Sequence, residues 1–125
     1  MSGISDAEII SALRRQMTLA AARQAAAAGN LANVDTPNYK AVEVSFSDAL
    51  HEQLAVTNPG HLAAGGPGGV RTEEIRDAPA RRDGNTVVLD QELLKMGRAG
   101  GEFSAAQTAL AAKFRLVRYA INEGR

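Results

Sequence analysis

The sequence predicts a mainly α fold: long amphipathic helices at the two ends of the chain, packing as a coiled-coil-like pair, with a short irregular or extended middle segment. Three observations predict it. A helix-start signal near residue 5 opens a run of apolar and small residues spaced alternately by three and four. A second run of the same kind occupies the last third of the chain. Between them lies a stretch rich in glycine and proline, which interrupts regular structure.

The N-terminal helix is expected over 5–33. Ser5-Asp6-Ala7-Glu8 has the spacing at which a cap residue and the third residue after it satisfy each other's backbone amides. Ile10, Leu13, Met17, Ala20, Ala27 and Leu31 then form a seam for another helix, with Gln24 as its polar interruption. Seven alanines between Ala20 and Ala28 favour helix and let a neighbouring backbone approach closely. The helix should stop near Asn33, because Asp35-Thr36-Pro37-Asn38 is turn chemistry and the residue before a proline is pushed out of helical angles.

Residues 34–56 are read as this turn, a short extended piece over Ala41–Phe46 and a brief helix from Asp48 to Leu54. Residues 57–82 are read as a flexible linker, with five glycines and two prolines between Thr57 and Gly69. Residues 83–89 form a tight turn, Asp83-Gly84-Asn85-Thr86, and a strand-like piece. Asp90 is expected to cap the second long helix, over 90–123, whose Phe103, Ala106, Leu110, Phe114, Val117 and Ile121 share one face. Gly97, Gly100 and Gly101 lie inside it, each costing about 1 kcal/mol relative to alanine. Two readings stand for them: a bend, or close approach of a second helix. Helices of this length can cover one another only in part, so the remaining apolar stripes imply neighbouring subunits or partial order in isolation.

Composition excludes several function classes. A formal net charge of zero gives no general case for nucleic acid, which needs a surplus of Lys and Arg. Without cysteine there is no disulfide framework, thiolate metal site or cysteine nucleophile. His51 and His61 lack the spacing and third ligand of a metal site. The run Gly65–Gly69 lacks the Lys-Ser/Thr of a phosphate loop. No catalytic, cofactor or metal residue is therefore nominated, and an enzyme is not expected. No secretory signal peptide is visible, and no apolar run is long enough for a membrane span.

The most specific stretch is Asn30-Leu31-Ala32-Asn33-Val34-Asp35-Thr36-Pro37-Asn38-Tyr39-Lys40. Its chemistry is legible directly: Asn30 and Asn33 suit backbone groups left unpaired at a helix end, and Pro37 sets the first corner of a turn. The stretch resembles the signature that closes the first helix of flagellar rod, hook and hook-associated proteins. The resemblance puts glycine at position 38; if a positive φ is required there, asparagine is the least costly replacement. Asp83-Gly84-Asn85-Thr86-Val87 with Leu89-Asp90, and the closing stretch from Phe103 to Ile121, resemble the corresponding parts of the short proximal rod subunits.

This resemblance implies a structural subunit of the bacterial flagellar rod, which polymerises through its terminal helices in the periplasmic part of the basal body. The partners it implies are further copies of the chain, other rod subunits, a FliE-type adapter at the membrane ring and the flagellar type III export apparatus. Export would proceed without a cleaved signal peptide. It implies no cofactor, no nucleic acid and no small-molecule substrate. The alternative reading is a small helical adapter or chaperone that binds client helices.

Overall fold

The structure is a computed structural model that describes residues 3–45 and 70–124. The expected helix at 48–54, the glycine-rich residues 57–69, His51 and His61 lie outside the described residues. The element order is α1 (Asp6–Ala32), β1 (Val42–Ser45), β2 (Arg71–Glu74) and α2 (Leu89–Glu123).

Helix α1 begins as the capping signal requires. The Ser5 amide donates to Glu8 Oε2 at 2.7 Å, and the Glu8 amide donates to Ser5 Oγ at 3.3 Å. The hydrogen bonds from the Ser5 backbone amide, and secondarily from its hydroxyl, hold the Glu8 carboxyl below its ordinary value. A carboxyl depressed in the folded state contributes stability above its unfolded pKa and loses that contribution as pH falls through the folded value. Replacing Ser5 with Ala removes the hydroxyl's share and leaves the larger share of the backbone amide, so the Glu8 pKa is expected to rise only in part, as read by an NMR pH titration.

Helix α2 runs unbroken through all three glycines. Its N-cap is Val88, with no side-chain capping bond, and Asp90 sits inside the first turn, where its charge complements the helix dipole. The expected cap at Asp90 is thus displaced by two residues, and Val87–Val88 lead into the helix without joining a sheet. A Cβ at Gly97 or Gly101 would meet nothing within 4 Å, and one at Gly100 would make an ordinary 3.7 Å contact with Gln24. The helix is not broken at any of them, and none of the three is needed for α1 to approach. Gly97→Ala and Gly101→Ala are each expected to stabilise the isolated chain by about 1 kcal/mol, read as a shift in urea midpoint.

The two helices run antiparallel. Lys113 Nζ meets Asp6 Oδ1 at 2.6 Å near one end, and Arg23 meets Glu102 at 3.2 Å further along. At the other end Asn30 Nδ2 reaches Glu92 Oε2 at 3.1 Å. Leu19, Ala20 and Ala27 are the buried apolar residues of α1, and Ala99 and Ala106 those of α2, so the core is narrow and rich in alanine. On α2 the inward positions recur every seven residues, as Glu92, Ala99, Ala106 and Lys113, and as Met96, Phe103, Leu110 and Val117. That is the pattern of a helix seam.

Strand β2 lies within the stretch read as flexible linker. It pairs antiparallel with β1, Val42 opposite Glu74 and Ser45 opposite Arg71. The alternation of β1 was legible, but the charged sequence of β2 carries no apolar period, and all four of its residues are exposed. Pairing with β1, and the bond from the Ile75 amide to the Ala41 carbonyl at 2.9 Å, hold it in place.

Candidate functional site

The residues after α1 form a rigid corner for identifiable reasons. Asn33 Nδ2 donates to the Gly29 carbonyl at 2.8 Å, covering an acceptor at the helix end. The Tyr39 amide donates to the Thr36 carbonyl at 3.3 Å, closing a turn with Pro37 at its first corner and Asn38 at its second. Asn38 has φ 61, which defines a type II turn and explains why the position suits only glycine or asparagine.

The second motif docks directly onto this corner. Asn85 is fully buried, and its Nδ2 lies 2.9, 3.1 and 2.9 Å from the carbonyls of Asn33, Val34 and Thr36, while its Oδ1 accepts from the Val87 amide at 2.7 Å. Thr86 accepts from the Ala41 amide through Oγ1 at 2.8 Å and donates its own amide to the Tyr39 carbonyl at 3.1 Å. The Asn38 amide reaches the Asp83 carbonyl at 2.8 Å. Lys40 Nζ donates to the Gly84 carbonyl at 2.8 Å, and the Arg81 guanidinium donates to the Val34 carbonyl. Each motif therefore satisfies the backbone groups that the other leaves open, and together they make one polar clasp.

Gly84 is fitted to its place twice over. Its φ is +80, and a Cβ there would lie 2.4 Å from Asn38 Oδ1. Gly84→Ala is expected to cost about 2 kcal/mol, from left-handed strain and displacement of Asn38, measured by chemical denaturation.

Asn30 joins the clasp to the helix pair. Its side chain is fully buried; Nδ2 donates to the Val42 carbonyl at 2.8 Å and to Glu92 at 3.1 Å. Its Oδ1 accepts from the Val42 amide at 3.0 Å and the Tyr39 hydroxyl at 3.3 Å. Glu92, 2% exposed, is completed by Lys95 Nζ at 3.2 Å. Among the other motif residues, Leu31 is half-buried, while Ala32, Asp35, Thr36 and Pro37 are exposed.

The expected seam divides in two. Ile10, Leu13, Met17, Ala20, Ala27 and Leu31 on α1, and Phe103, Ala106, Leu110 and Val117 on α2, are buried or half-buried. Phe114 and Ile121 instead stand 51% and 62% exposed. For Ile121 the cause is length: α1 starts at Asp6, opposite Lys113, whereas α2 continues to Glu123, about 15 Å further at 1.5 Å per residue; Phe114 instead stands at the open edge of the groove that it lines with Ile10 and Met17. Leu116 and Tyr119 are exposed on the same overhang, and Leu93 and Leu94 near the clasp. An open groove lined by Ile10, Met17, Phe103, Leu110 and Phe114 runs beside the seam.

Reading the sequence missed Glu92, Lys95, Arg81 and the mutual docking of the motifs. The signal for Glu92 was its place seven residues before Ala99 in the seam, where a carboxylate needs a buried donor. Among the described residues no cluster of three metal-ligating side chains occurs, and no helix is long and apolar enough to cross a membrane.

Residues 10–40 match the family model described as "Flagella basal body rod protein". Similar curated proteins include the flagellar basal body rod protein FlgB of Aeromonas hydrophila, 36% identical over 62% of this chain and 64% of that protein. The FlgB of Escherichia coli K12 is 28% identical over 79% of this chain and 82% of its own length. That of Buchnera aphidicola is 28% identical over 66% and 70%. The family match covers α1 and the corner after it, the half of the clasp that carries Asn30.

Proposed function

From its similarity to the flagellar basal-body rod family we infer that this chain is a rod subunit of the proximal, FlgB type that polymerises through its terminal helices. The observation that carries the reading is the clasp. The stretch similar to the rod family, residues 10–40, is the one whose end folds against Asp83–Val87.

The other end of the hairpin supplies the contacts. Leu116, Tyr119 and Ile121 present apolar surface beyond the reach of α1, with half-exposed Phe114 beside them, and a large exposed apolar patch marks an interaction surface. Neighbouring rod subunits cover it in the assembled shaft, with a FliE-type adapter at the base. The chain reaches the periplasmic part of the basal body through the flagellar type III export apparatus, without a cleaved signal peptide. Its role is structural, in keeping with the family it resembles.

The test is deletion of the gene in its motile host, with swimming scored and basal bodies imaged by electron microscopy. Loss of rods beyond the membrane ring is expected, restored by the wild-type gene and not by a variant with alanine at Pro37, Asn38 and Tyr39. Intact rods and normal swimming in the deletion strain would reject the rod reading in favour of an adapter that binds client helices.

A further inference from the structure

The last turns of α2 carry more apolar surface than one neighbour can cover. At about 100° per residue, Tyr119, Leu116, Ala120, Val117, Ile121 and Phe114 follow one another around the helix axis over an arc of about 220°. A helix packed against a single neighbour shows an apolar stripe of about 100°. Here even that one neighbour ends early, because α1 begins at Asp6, opposite Lys113, and Leu116, Tyr119 and Ile121 are each more than half exposed. The rest of the circumference holds Arg118, Asn122 and Arg115, so an arginine borders each edge of the arc: Arg118 beside Phe114, Arg115 beside Tyr119. The helix dipole does not account for these arginines, since its effect falls off within the last turn, and that turn has no basic residue. Neither has a hydrogen-bond or ion-pair partner among the described residues.

We propose that the overhang of α2 is held between at least two amphipathic helices that belong to chains other than copies of this one, each rimmed with acidic residues that meet Arg115 and Arg118. This rests on the rod reading and names the chemistry of the neighbours. A second copy does not offer that chemistry. Its two helices hold six acids. Asp6 is engaged by Lys113, Glu8 by Ser5, Glu92 by Asn30 and Lys95, and Glu102 by Arg23. Asp90 and Glu123 remain, and they stand at opposite ends of α2. The groove beside the seam is lined by Arg14, and a second overhang brings the same two arginines, so both set like charges against the first. The apolar arc supplies the burial, and the arginines at its edges decide which helices are admitted to it.

The test complements the deletion strain with full-length variants and scores swim rings. Arg115→Glu with Arg118→Glu is expected to reach the periplasm at the wild-type level by immunoblot, yet to give rings no wider than those of the deletion strain. Arg115→Lys with Arg118→Lys is expected to swim normally. Leu116→Asp and Ile121→Asp, on the two sides of the arc, are each expected to stop swimming. Second-site motile revertants of the glutamate variant are expected to carry Asp or Glu changed to Lys or Arg in another chain. Where the reversal itself lowers the urea midpoint of the purified protein, Arg115→Gln with Arg118→Gln takes its place in the comparison. A deletion strain that swims rejects the rod reading, and the proposal with it. In a deletion strain that does not swim, normal swimming by the charge variant overturns the proposal alone. So do failure of the lysine variant, loss of the glutamate variant from the periplasm, normal swimming by either aspartate variant, or revertants that map to acids of this chain.

Discussion

Asn30→Ala is expected to lower the unfolding free energy by about 4 kcal/mol, measured by urea denaturation of the purified chain. The magnitude follows from what the side chain holds. Truncation leaves the Val42 amide and carbonyl without their partner, removes the acceptor of the Tyr39 hydroxyl, and strips Glu92 of its only buried donor. A buried amide or carbonyl left unpaired costs about 1–3 kcal/mol, and an uncompensated buried carboxylate costs more. Lys95 still reaches Glu92 from the solvent side, which keeps the total below a simple sum. The effect should be cooperative: β1 loses its anchor to α1 at the same time as the helices lose their buried contact. Asn30→Asp, which keeps the acceptor but places a second carboxylate beside Glu92, is expected to be no better tolerated.

The second large effect separates the seam from the overhang. Leu110→Asp places a charge between α1 and α2 and is expected to destabilise the isolated chain by about 3 kcal/mol, seen as a lower urea midpoint, and to abolish swimming on complementation. Leu116→Asp changes a residue 63% exposed beyond the end of α1, and the urea midpoint should move little. If neighbours cover that surface in the rod, Leu116→Asp should nonetheless abolish swimming. A stable, helical Leu116→Asp protein that supports normal swimming would remove the overhang from the assembly surface. Phe114→Asp is intermediate, because its ring both lines the groove beside the seam and stands half in solvent.

Glycines 97 and 101 bear on the same point. They weaken α2 by about 1 kcal/mol each relative to alanine, and no contact among the described residues explains them. Stability of the isolated chain is therefore not what their presence serves, and the stabilising substitutions described above separate folding from whatever does.

Much of this protein was legible from local chemistry. Ser5 and Glu8 announce the start of α1 because a capping box is completed within four consecutive residues. The turn at Thr36–Tyr39 could be anticipated for the same reason: Pro37 and Asn38 carry their backbone preferences with them wherever they occur. A period of about 3.5 needs no knowledge of the partner, and it marked part of the inward set, from Ile10 to Leu31 and at Phe103, Ala106, Leu110 and Val117, but not Leu19, Glu92 or Ala99. What the period could not provide is how far the partner extends. The same spacing that half-buries Leu110 continues to Ile121, and only the antiparallel register, with Asp6 opposite Lys113, leaves that residue uncovered.

Tertiary structure alone decided the rest. Arg71–Glu74 has no apolar alternation and becomes a strand because β1 offers it a ladder. Asp83–Val87, read as a tight turn, becomes the ligand of the corner after α1 because Asn85 carries the donors that the carbonyls of Asn33, Val34 and Thr36 lack. Glu92 looks in sequence like an ordinary solvated acid in the first turn of a helix. It is buried because Asn30, 62 residues away, supplies the donor that makes burial tolerable. Signals closed within a few residues are written into the sequence itself, whereas a hydrogen bond across the fold exists only once packing has brought its two halves together.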